Sequence, residues 1–278
     1  MKVYDQPRGR LGNALFRYLA SSLFEILYGA ERIAVAPSRG SAIEVICDRV
    51  FLDWKQSVLS GSLPPIDPTK TYIFSGFFQH DDIYLKYKSQ LLEHVIRHPD
   101  AKLVTDRGSI TPIGQLFGPS TSRTFATLDV VIHLRLEDFI EIKHVIHPVA
   151  IQKAIQEIPS IASRSVCLVV NKPTIPLENA FLRYFQRLLP HMTIESNDVV
   201  TDFQIMRHAK LLICSCSTLS WIAAMMSTTV EAVYLPNYYL GRLLHETFRA
   251  PHPSTMFYEE ITSNEAELAQ FFKDSGLL

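Results

Sequence analysis

Asp129-Val130-Val131-Ile132-His133-Leu134-Arg135-Leu136-Glu137-Asp138 is the stretch on which the reading of this chain turns. The apolar, β-branched run Val130 to Ile132 reads as a strand buried on both faces, the pattern of a parallel sheet covered by helices. Open sheets of that kind hold ligands beyond the carboxyl ends of their strands, where His133 and Arg135 fall. Arginine stays charged at any working pH and offers a planar fork of donors that fits phosphate oxygens. An arginine at a strand end also serves as half of a structural salt bridge. The stretch by itself leaves both readings open.

A second stretch, Thr201 to Trp221, shifts the balance. It reads as a short helix opened by Thr201 or Asp202 as N-cap, a buried strand from Leu211 to Cys214, and a hydroxyl-rich turn into a helix from Leu219 to Met226. Ser217, Thr218 and Ser220 cluster where the free N–H groups and dipole of a helix start favour an anion. Those hydroxyls can cap the helix, bind a phosphate, or do both. Trp221 reads as core.

Working outward, strands and helices alternate from 129 to 235, which argues for a parallel sheet with helices on both faces. Upstream, Lys2 to Tyr4 reads as a strand and Arg8 to Asn13 as a glycine turn. A helix is expected from Ala14 to Tyr28, where Leu15, Leu19 and Leu23 keep helical spacing. A strand is expected over Arg32 to Ala36, a helix over Ala42 to Phe51, a strand over Thr71 to Phe78 and a helix over Asp82 to Ile96. Residues 105–125 lack periodicity and read as a linker or lobe edge. The expected division is an α/β lobe over 1–125 and a second over 126–278, with a final helix from Glu265 to Phe272.

Composition fits an ordinary globular protein. The chain has 278 residues, 47% hydrophobic and 20% charged, with a net charge of −1. Near-neutral charge argues against nucleic acid or a polybasic membrane surface as partner. No run approaches the roughly 20 apolar residues that span a bilayer. Residues 11–28 contain Arg17 and Glu25 and lack a signal-peptide pattern, so a cytoplasmic location is expected. Cys214-Ser215-Cys216 is spaced too tightly for a zinc knuckle, and all four cysteines read as free thiols, with no metal site expected.

Five motifs in order resemble the α-1,2-, α-1,6- and protein O-fucosyltransferase superfamily, and above all its compact α-1,2 members. They are Gly9-Arg10-Leu11-Gly12-Asn13, Phe74 to Gln79, His133-Leu134-Arg135-Leu136-Glu137-Asp138, Asp202 to Trp221, and Leu235-Pro236-Asn237. Three positions depart from the family pattern: Leu136 replaces a second arginine, Ala14 a glutamine, and Leu219 a phenylalanine. The resemblance implies a GT-B-like fold, two Rossmann-like lobes with a cleft between them. It implies an inverting, metal-independent transferase without cofactor that moves fucose from GDP-fucose to a glycan hydroxyl. Nucleotide-sugar donor and glycan acceptor are the partners so implied. A different UDP- or GDP-linked pentose or hexose donor, or a non-catalytic nucleotide- or glycan-binding protein, stays open.

By motif matching, Arg135 grips the diphosphate, and Ser217, Thr218 and Ser220 bind phosphate oxygens. His133 packs beside nucleotide or sugar, and Asp202 accepts from a base or ribose edge or simply caps its helix. Arg10, Gly12 and Asn13 join the donor site from the first lobe, or form plain turn chemistry. Asp138 acts as the general base or orients Arg135.

Overall fold

The computed structural model describes residues 1–38, 41–118, 128–143, 145–237, 250–259 and 262–278. The chain divides into two compact units, Met1–Ser122 and Arg123–Leu278. The boundary expected at 125/126 lies outside the described residues.

Unit 1 runs β1 (Lys2–Asp5), α1 (Leu11–Tyr28), β2 (Glu31–Arg32), β3 (Ile43–Ile46), α2 (Asp48–Leu59), β4 (Thr71–Phe74), α3 (Asp81–Lys86), α4 (Lys88–Arg97), β5 (Lys102–Val104), β6 (Ile110–Pro112) and α5 (Ile113–Phe117). Its main sheet has the order β2-β1-β4-β3, all parallel. Helix α1 buries Leu15, Leu19 and Leu23, whose four-residue spacing announces it. It ends at Gly29, whose φ of 67° lets its N–H turn back to the Glu25 carbonyl.

Several local expectations are corrected here. Helix α1 begins at Leu11, so Gly12 and Asn13 lie in its first turn; the positive φ of the preceding loop falls on Gly9 instead. The helix expected over Ala42 to Phe51 is split, because the β-branched run Ile43, Val45, Ile46 pairs as an edge strand before α2 starts at Asp48. The strand expected to reach Phe78 stops at Phe74, and the one expected over Arg32 to Ala36 ends at Arg32. The stretch 105–125, expected as linker, holds β6 and α5 in its described part, and β6 pairs antiparallel with β5 just before it.

Unit 2 runs β7 (Val130–Leu134), α6 (Asp138–Glu141), β8 (Val145–Ile146), α7 (Pro148–Gln156), β9 (Val166–Val170), α8 (Pro176–Leu188), β10 (Thr193–Glu195), α9 (Val199–Arg207), β11 (Leu211–Ile213), α10 (Thr218–Met225), β12 (Ala232–Pro236), β13 (Thr255–Tyr258), β14 (Thr262–Ser263) and α11 (Glu265–Asp274). Strands β10-β9-β7-β11-β12-β13 form one parallel sheet. Counted along the chain from β7, that order is 3-2-1-4-5-6, the order of the doubly wound Rossmann sheet. Every residue of β7 and β9 is buried, as the continuous apolar runs require of central strands covered on both faces. Helices α8 and α11 close one side through Phe181 and Phe272, whose rings lie 5.0 Å apart. The α/β class with two Rossmann-like units is therefore the observed one. Strand β13 goes beyond the sequence reading. Pro251 and Pro253 precede it and Phe257 is exposed on it, so it carries little strand signal, yet Tyr258 anchors it by donating to the Cys214 carbonyl at 2.6 Å.

Candidate functional site

In a doubly wound sheet the crevice lies where the strand order reverses. In unit 2 that point falls between β7 and β11, which pair in parallel with Ile132 opposite Ile213. Both strands leave the sheet at the same level, and the residues that follow meet. His133 Nδ1 and Ser215 Oγ are hydrogen-bonded at 2.9 Å. Burial first, and then the nearby Arg135 charge, push the His133 imidazole down to about 3. His133 is therefore neutral at physiological pH and a weak base. Ser215 is missing from the sequence reading, because a serine between two cysteines at a strand end carries no motif.

Arg135 lies two residues further along. Its Nη2 donates to Asp138 Oδ1 at 2.8 Å, with Glu137 at 3.7 Å. The structural reading of Arg135 as an ion-pair partner is thus met. The pair is only partly buried, with side-chain exposures of 21% and 37%, so an entering phosphate can compete for the guanidinium. Asp138 is drawn to Arg135, which favours orientation over base chemistry. Between them Glu137 adopts φ 39° and ψ −121°, a conformation that costs a non-glycine residue roughly 1–3 kcal/mol.

On the other wall, Ser217 is the N-cap of α10 and accepts from Leu219 N–H at 3.3 Å. Thr218 follows as the first helical residue, half-buried, beside backbone donors that the helix itself leaves open. Ser220 is different. It is fully buried, and its hydroxyl donates to the Ser217 carbonyl at 3.1 Å, so it serves the helix. Trp221 is core, as read.

Asp202 stands apart from this group, at the exit of β10 and two strands away from β7. The N-cap of its helix is Asp198, which accepts from Val200 and Thr201; neither Thr201 nor Asp202 has that role. Asp202 Oδ1 accepts from Asn197 N–H and Nδ2, each at 3.3 Å. Burial pushes its carboxyl up to about 6 against those donors, helped by Asp198 and Glu195. Between its ordinary 3.8 and about 6 the folded chain binds more protons than the unfolded one, so stability falls as pH rises, and the penalty is complete above about 6. Asp202→Asn is expected to melt above the parent at pH 8, with the gap closing towards pH 4, in a pH series of scanning fluorimetry. Equal melting at pH 8 would show that the carboxylate is not held at a cost.

Arg10, Gly12 and Asn13 belong to unit 1, at the corresponding reversal between β1 and β4. Asn13 Oδ1 accepts from Gln79 Nε2 at 2.9 Å, joining the first turn of α1 to the segment that leaves β4. Gly9 is required there twice over: its φ is 71°, and a Cβ would come within 2.9 Å of the Asn13 side chain. Arg17, 1% exposed, ties the same loop by donating to the carbonyls of Arg8 and Val104. Asp48 holds the segment that leaves β4 through the N–H groups of Phe77 and Phe78.

Among the described residues, no group of three or more His, Cys, Asp or Glu is placed to hold a metal ion. No described helix is long and apolar enough to cross a membrane.

No protein-family model matches the chain, and no curated protein matches it. Among solved structures it is similar to the E. coli heptosyltransferase WaaC with ADP, at 10% identity and a TM-score of 0.48, over 99% of each chain. The resemblance to the fucosyltransferase superfamily is corrected by these findings: no family model supports it, and the solved structure is a heptosyltransferase. The physical reason lies in the motifs. A glycine before a helix, an arginine after a buried strand and hydroxyls at a helix start suit any parallel sheet that holds an anion. Matching them reports shared chemistry without establishing descent.

Proposed function

We propose that the chain is a glycosyltransferase of the GT-B kind, which takes a sugar from a nucleoside diphosphate sugar and passes it to a glycan hydroxyl. The observation that carries the reading is the reversal point of the six-stranded sheet. There Arg135, the neutral His133–Ser215 pair and the Ser217–Thr218 helix start all lie at the ends of the two adjacent strands β7 and β11. Each is suited to a diphosphate: a forked cation, a neutral donor or acceptor, and open backbone N–H groups under a helix dipole. As the bond to the anomeric carbon breaks, negative charge builds on the leaving diphosphate, and donors already aimed there lower the barrier. Arg135 and the α10 start would supply this stabilisation, so transfer is expected to persist in EDTA. Asp202 remains the candidate for the ribose or base edge. Arg10, Gly12 and Asn13 remain candidates in unit 1 for contacts to sugar or acceptor. With the family resemblance gone, fucose loses its special standing among donors.

Scanning fluorimetry with UDP, GDP, ADP and CDP is the first test, since a ligand at a hundred times its Kd stabilises by about 2.7 kcal/mol. One nucleotide should raise the melting temperature, and its sugar conjugate should release it in the presence of an acceptor. Silence from all four at millimolar concentration would remove the reading. Thr218→Val then separates binding from capping, since Ser217 is the cap. It should weaken nucleotide binding by about 0.5–3 kcal/mol with little change in stability. Ser217→Ala should cost both affinity and about 0.5–2 kcal/mol of stability. Unchanged nucleotide titrations in both variants would move the phosphate elsewhere.

A further inference from the structure

Glu178 is the most deeply buried carboxylate near the reversal point, 1% exposed in the first turn of α8. Its Oε2 accepts from the backbone N–H groups of Thr174 and Ile175 and from the Thr174 hydroxyl. That half is ordinary helix capping. Its Oε1 does something the capping of α8 does not need. It reaches across to the exit of β7 and accepts the Glu137 N–H at 3.0 Å, with Asn171 Nδ2 at 3.5 Å. One carboxylate therefore joins the chain leaving β7 to the chain leaving β9.

The bond falls on the one residue of the β7 exit that has a positive φ. Glu137 is held from the other side as well: Leu136 is buried in the core, Phe139 N–H donates to the Leu136 carbonyl at 2.8 Å, and Ile140 N–H to the Glu137 carbonyl at 3.1 Å. The sharp turn so enforced brings Asp138 back against Arg135. A conformation of this kind persists only where its surroundings over-determine it. Burial alone would raise the Glu178 carboxyl, but the donors from Thr174, Glu137 and Ile175 outweigh it and hold the group below its ordinary value, so it stays charged.

We infer that Glu178 is a positioning residue: by fixing the Glu137 turn it holds Arg135 where a diphosphate is gripped, and its effect on binding runs through that arginine. This rests on the glycosyltransferase reading. Glu178→Gln keeps the shape but turns an amide N–H towards one of the two sets of donors it must serve.

The test is a double-mutant cycle on the full chain, titrating UDP, GDP, ADP and CDP by calorimetry into the parent, Glu178→Gln, Arg135→Ala and the double variant. Glu178→Gln should weaken binding about tenfold in the parent and less than about twofold in the Arg135→Ala background, because coupled residues do not add. Thr174→Val, which touches only the capping oxygen, should lower the melting temperature and leave affinity unchanged. Equal losses from Glu178→Gln in both backgrounds, no loss in either, or a matching affinity loss in Thr174→Val would overturn the inference. A parent that binds none of the four nucleotides, or an Arg135→Ala variant that binds as well as the parent, would instead fail the underlying reading, and the inference with it.

Discussion

Arg135→Ala is expected to lower the transfer rate by at least about 100-fold, the scale set by removing one donor aimed at developing charge. The fold should survive. Arg135 sits past the end of β7, and its partners Glu137 and Asp138 are 39% and 37% exposed, so the substitution strands no buried charge. Arg135→Lys should restore little, since an ammonium cannot reproduce two parallel bonds to a phosphate. The assay is nucleotide release, run beside a melting curve for each variant. Full activity in Arg135→Ala with an unchanged melting curve would sink the proposed site.

Trp221→Ala is expected to give the largest loss of stability, about 3–5 kcal/mol by denaturant unfolding. Trp221 is 1% exposed and is the largest fully buried side chain in the described residues. It lies in α10, the helix whose start carries Ser217 and Thr218, and α10 packs on α9. The cavity therefore loosens the candidate site's own support. Trp221→Phe keeps most of the volume and should cost far less. A loss below about 1 kcal/mol for the alanine variant would mean that the ring is not part of the folding core.

The sequence announces the central strands because β7 and β9 are buried on both faces and have no polar side to disguise them. It announces α1 because its buried leucines keep helical spacing. It conceals β3 and β13, two of the four edge strands of the main sheets, whose exposed residues Val45 and Phe257 answer to solvent as much as to the sheet. At the candidate site, the placement of His133 and Arg135 at a strand end and of Ser217 and Thr218 at a helix start is legible, because the flanking apolar runs mark both elements. Ser215 and Glu178 are illegible for a shared reason. Each acts across the fold, on partners 82 and 41 residues away, and no local pattern records such a bond. Family descent is misread for the opposite reason: short local patterns that many parallel α/β sheets share look like inheritance.

Leu136 restricts what this site can become. It is 1% exposed and belongs to the hydrophobic cluster that includes Ile140, Val145, Ile146 and Leu177. Its neighbours Arg135 and Glu137 are more exposed, so successive residues of the turn alternate between solvent and interior. A second arginine at 136 would have to place its guanidinium among those side chains or unwind the turn that Glu137 makes. Leu136→Arg is therefore not a step by which the chain could drift into a doubly arginine-lined phosphate site. Any lineage or engineer seeking a stronger grip has to add the cation elsewhere, for example at the half-buried Thr218 of the α10 start.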